Sequence, residues 1–140
     1  MPHRTVRTRL AIGAAIATLA LVTGVAAPAS AATSWGLLST VEGSKLQACK
    51  VSVKDGRAWK VKLRVNAMAA DARTKGRAVA LRDGSATDRR WRSGWVAPGN
   101  TSAVGAVLVP QRPGWTLEFT LSADQAGGGG VTGLGSIRRC

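Results

Sequence analysis

From Leu46 onward the hydrophobic positions recur at every second residue. Cys49, Val51 and Val53 alternate with Lys50, Ser52 and Lys54, and Trp59, Val61, Leu63 and Val65 alternate with Lys60, Lys62, Arg64 and Asn66. A period of two describes strands with one buried and one wet face. Lys54-Asp55-Gly56 separates the two runs and predicts a hairpin. Parity selects the turn. A two-residue Asp55-Gly56 loop sets Val51 opposite Lys60 and mixes core with solvent residues on one face. A three-residue loop with Gly56 left-handed pairs Val51 with Trp59 and Cys49 with Val61, so the expected turn is type I with a G1 bulge.

Further strands are predicted over 77–82, with Val79 and Leu81 on the same face, and over 87–96, 102–109, 115–122 and 131–140. In the run from Trp115, the residues Leu117, Phe119 and Leu121 alternate cleanly with Glu118, Thr120 and Ser122. Turn chemistry fills the breaks at Pro98-Gly99-Asn100, at 110–114 and at 126–130, where Gly127 to Gly130 reads as a flexible surface loop. Residues 67–75 could form a short helix ended by Gly76, and a further short strand could lie near 35–38. About seven short strands imply an all-β chain: a small antiparallel β-sandwich of immunoglobulin-like size. Kinship with immunoglobulins is not implied, because the second cysteine is the last residue and the chain has no tyrosine.

The N-terminus carries a different pattern. Arg4, Arg7 and Arg9 precede an uncharged run over 10–27, and Ala29-Ser30-Ala31 offers small residues at the positions a signal peptidase reads. Residues 1–31 are therefore expected to be a cleaved Sec-type signal peptide, followed by an N-terminal segment over 32–45 and one domain over 46–140. The secreted form keeps 17 of the 20 basic residues against 7 acids, a net charge of +10. It has no second apolar span and is expected to be an extracellular monomer, free or associated with the cell wall. The wealth of Ala, Arg, Gly and Val points to a high-GC bacterial source.

Cleavage changes the available chemistry. His3, the only histidine, leaves with the signal. Without an imidazole neither a Ser-His-Asp nor a Cys-His apparatus can be built, and zinc loses its commonest ligand. Cys49 and Cys140 are expected to form one disulfide, as two cysteines in a small exported domain do. The glycine run lacks the Lys-Ser/Thr of a phosphate loop. Each of Glu42, Asp55, Asp71, Asp83, Asp88, Glu118 and Asp124 has a turn, ion-pair or solvent-face reading. No enzyme activity, no metal and no cofactor are expected.

Basic charge is the positive signal. In the expected register Lys50, Lys54, Lys60, Lys62 and Arg64 project from one sheet face and form an anion-binding patch. The same pattern also serves as a solvated face that keeps an edge hairpin from aggregating. A second basic and aromatic patch comprises Arg90, Trp91, Arg92 and Trp95. Trp91 and Trp95 share one parity, which predicts a core face for at least one of them, with Arg90 and Arg92 outside. The expected function is a secreted, non-catalytic domain that engages an anionic cell-wall polymer or another extracellular polyanion. Nucleic acid would bind only without sequence preference. The alternatives are a protease inhibitor, with Arg73 in the bait segment 71–75, and a structural cell-surface protein.

Overall fold

Three Xaa-Gly pairs organise the chain into hairpins. At Glu42-Gly43, Asp55-Gly56 and Asp83-Gly84 both residues have positive φ, between 45° and 82°. Two successive left-handed residues make the turn whose twist matches that of paired strands. The computed structural model describes residues 33–140, so the export signal expected over 1–31 lies outside them. The strands are β1 (Gly36–Val41), β2 (Ser44–Val53), β3 (Ala58–Asn66), β4 (Thr74–Arg82), β5 (Ser85–Val96), β6 (Gly105–Pro110), β7 (Trp115–Ala123) and β8 (Gly127–Gly133). They form two four-stranded antiparallel sheets, one ordered β1-β2-β3-β6 and the other β5-β4-β7-β8. The described residues contain no α-helix; of the stretch 67–75, residues 67–73 form turns and bends, and 74–75 already belong to β4.

One buried cluster joins the inner faces of both sheets. Leu46, Leu63 and Val107 from the first sheet share it with Ala78, Trp91 and Phe119 from the second. Full burial of each Leu, Val or Phe side chain contributes about 1.5–3 kcal/mol. Ser44 and Thr74, both wholly buried, satisfy each other across the sheets through a 2.8 Å hydrogen bond.

β2 turns out with the parity opposite to expectation, and β4 keeps Val79 and Leu81 on one face but that face is the outer one. The β2–β3 pairing sets Val51 against Lys60, Cys49 against Lys62 and Lys50 against Val61. The two-residue Asp55-Gly56 turn therefore forms, and not the G1 bulge. Directly opposed residues share a face, so Leu46, Ala48 and Lys50 look inward while Cys49 and Val51 look outward. In β4 the inward residues are Gly76, Ala78 and Ala80, paired with Leu121, Phe119 and Leu117. Val79 and Leu81 lie on the outer face beside Glu118 and Thr116. Although both are buried, neither belongs to the core cluster. Small residues face large ones across this core, and an alternation of large residues alone points to the wrong side.

The glycine run is a strand. Gly127 to Gly130 pairs with Ser122 to Phe119, and Gly130 packs against the Phe119 ring. Glycine in a strand marks a place where other atoms come close. Beyond β8 the chain makes a single 3-10 turn, Leu134–Ser136, and its tail meets the edge of β2 where Lys50 bridges Arg139. The disulfide links Cys49 of β2 to Cys140 of that tail. β1 falls inside the stretch expected to precede the domain, yet it is a full member of the first sheet and buries Val41.

Candidate functional site

The five cations expected on one face separate. Lys60, Lys62 and Arg64 do share the outer face of the first sheet, on alternate positions of β3. Arg64 is occupied there: its Nε donates to Gln47 Oε1 at 2.9 Å, and its guanidinium lies 4.3 Å from the centre of the Trp35 ring. Lys54 sits at the exposed tip of the hairpin with φ 54°. Lys50 is turned inward and buried, with Nζ donating to the Leu134 carbonyl and lying 4.6 Å from the centre of the Trp59 ring. It is a structural lysine.

That placement carries a pH signature. Burial pushes the Lys50 ammonium below its usual 10.5, and the Arg139 guanidinium pushes it further down. The unfolded chain thus holds this proton more tightly than the folded one, which lowers stability near neutral pH. The deficit is recovered as pH rises through the folded value toward 10.5. In urea unfolding, wild type should therefore gain stability relative to Lys50→Met across that window. Parallel pH profiles for the two proteins would remove this account of Lys50.

The second patch is rearranged by a bulge. The β4–β5 register shifts between Lys75, opposite Trp95, and Arg77, opposite Arg92. Gly94 has φ 70° at this point, and Ser93 enters the ladder, its Oγ accepting from Gly76 N at 2.8 Å and donating to the Gly94 carbonyl at 2.6 Å. The extra residue breaks the parity shared by Trp91 and Trp95. Trp91 stays inside at 8% exposure and Trp95 emerges at 47%. Arg73 and Lys75 lie 4.7 and 4.6 Å from the centre of the Trp95 ring, and Arg73 also pairs with Asp124 at 2.9 Å. The arginine expected as protease bait is thus tied at its side chain.

The outer face of the second sheet gathers four cations and sets two of its arginines directly opposite each other. One cross-strand row runs Trp95, Lys75, Ser122; the next runs Arg92, Arg77, Thr120; the third runs Arg90, Val79, Glu118. Between the first two rows lies a groove of about 380 Å³, lined by Lys75, Gly76, Arg77, Arg92, Gly94, Thr120 and Ser122. No carboxylate lines it, and the ion pairs formed among the described residues involve Arg57, Arg73 and Arg82 only. Like charges directly opposed across strands are destabilising, and Arg77 faces Arg92 without an acidic neighbour between them.

Lys75 and Arg77 join this face unannounced by sequence reasoning. Their alternation with Gly76 and Ala78 was the available signal, hidden because the inward residues of β4 are small. Among the acids, Asp55 and Asp83 are turn residues, Asp124 pairs with Arg73, Asp71 N donates to the Glu42 carbonyl at 3.2 Å, and the described residues hold no cluster of three potential metal ligands. Compared with family models, curated proteins and solved structures, the chain matches none.

Proposed function

We propose that this chain is a secreted, non-catalytic binding domain that holds extracellular polyanions on the outer face of its second sheet. The observation that carries the reading is the set of four cations there, Lys75, Arg77, Arg90 and Arg92, with two arginines directly opposed and no ion pair to any of the four among the described residues. An external anion would relieve a repulsion the fold leaves standing. The export signal over 1–31 and the Cys49–Cys140 bond support an oxidising, extracellular setting. The two packed sheets are read as a sandwich of immunoglobulin-like size acting as a monomer. An anionic wall polymer such as teichoic acid fits a net charge of +10, and nucleic acid would engage only through its backbone.

Two charge-reversal variants locate the activity. Lys75→Glu/Arg77→Glu/Arg92→Glu and Lys60→Glu/Lys62→Glu/Arg64→Glu change the net charge by the same amount, so general attraction falls equally in both. On a column of immobilised teichoic acid, the second-sheet triple should elute at far lower salt than wild type, and the first-sheet triple should elute only slightly earlier. Equal losses in the two would mean that binding follows net charge and not this face.

A further inference from the structure

We infer that the groove at the β4–β5 bulge is a seat for one tetrahedral oxyanion group, a phosphate or sulfate ester carried on the polymer. The inference rests on the polyanion reading above and narrows it from a charged face to a single stoichiometric site. The groove exists because the bulge does. Ser93 replaces a backbone partner of Gly76, and left-handed Gly94 lets β5 step away from β4 at this level. Arg77 and Arg92 stand opposite each other in one row, and Lys75 stands in the next. The third wall supplies the hydroxyls of Thr120, opposite Arg77, and Ser122, opposite Lys75.

This donor set matches the chemistry of an oxyanion. Planar guanidinium forks donate two parallel hydrogen bonds to such oxygens, a lysine adds a compact charge, and hydroxyls donate to the remaining lone pairs. A carboxylate would compete for the same donors, but Glu118 lies in the adjoining row opposite Val79, and Asp124, in the row beyond Ser122, is paired with Arg73. Trp95 is held against Arg73 and Lys75, which makes it a positioning residue for the lysine.

Amide spectra of the oxidised protein, titrated with inorganic phosphate, glycerol phosphate, a sulfated disaccharide and a short single-stranded oligonucleotide, test the seat. The expected result is saturable one-to-one binding of the small ligands, with shifts confined to amides near 75–77, 92–94 and 120–122. Binding of glycerol phosphate but not of the sulfated sugar would identify a phosphate-bearing polymer as the source, and binding of the sulfated sugar alone a sulfated glycan. Arg77→Gln or Arg92→Gln should weaken binding by about tenfold each, the loss of one charge-assisted contact. Arg77→Lys/Arg92→Lys keeps the charge but loses the fork, and it should bind clearly more weakly than wild type. Shifts spread over both sheets without saturation, or an undiminished lysine variant, would overturn the seat. If the teichoic acid column still retains the protein in that case, the polyanion reading stands without it; loss of both defeats the reading itself. Preference for the oligonucleotide would move the ligand class to nucleic acid and also overturn the proposal.

Discussion

Replacing Cys49 and Cys140 with serine should lower the thermal midpoint by roughly 15–25 °C, the effect of about 4 kcal/mol on a domain of this size. The bond joins residues 91 apart in sequence, so its loss frees nearly the whole described chain in the unfolded state. The folded state also depends on where the bond lies. It does not cross between the sheets; it ties the tail to the edge of β2, where Lys50 N donates to the Arg138 carbonyl and Cys140 N donates to the Lys50 carbonyl. The same tail carries Ile137, 3% exposed, into the core. Calorimetry of the double variant beside the oxidised wild type measures the shift. A drop of only a few degrees would mean that the tail is held by its own contacts and that the unfolded chain is already compact.

Trp91→Ala should destabilise the domain by about 3–5 kcal/mol, whereas Trp95→Ala should stay within about 0.5 kcal/mol. Two glycines make room for the Trp91 indole. A Cβ at Gly105 would overlap the Cδ1–Nε1 edge of its five-membered ring, and one at Gly76 would stand 3.1 Å from its far edge and 2.7 Å from Val65. Removing the ring leaves a cavity between β4, β5 and β6 that backbone this tightly placed cannot close. Gly105→Val probes the same contact from the other side, overpacking it at a cost of about 1–3 kcal/mol or more. Urea unfolding of the three variants checks the set. Equal costs at Trp91 and Trp95 would contradict the change of parity at Gly94.

That change of parity marks the boundary of what the sequence made legible. β3 and β7 were readable because each carries large apolar residues on one face and polar ones on the other. The Cys49–Cys140 pairing followed from arithmetic on two cysteines. The β2 register was not readable, because its inward row continues through Lys50, whose stem is buried while its ammonium reaches Leu134 and Trp59. Cys49 and Val51 look outward yet are covered, and an apolar residue under cover gives the same signal as one in the core. β4 misled for the converse reason, since Gly76, Ala78 and Ala80 are core residues without bulk. The glycines of β8 carry no alternation at all, and only pairing with β7 makes them a strand.

The candidate site inherits these errors. Expected on the β2–β3 hairpin, it lost Lys50 to the interior and Lys54 to the turn. The patch around Arg90 and Arg92 lost Trp91 to the core but gained Lys75 and Arg77 from the neighbouring strand. Cross-strand neighbours are invisible to a reading along one strand, and here they decide which face sets two arginines against each other.

Co-sedimentation with purified bacterial walls tests most directly whether this domain holds an extracellular polyanion. Walls with and without teichoic acid are compared over a salt series, using the oxidised protein. Binding that requires the teichoic acid and falls steeply and linearly on a logarithmic salt scale is the predicted result, as release of counterions from several cations demands. Absence of binding even at the lowest salt, or binding indifferent to teichoic acid and to salt, would contradict it.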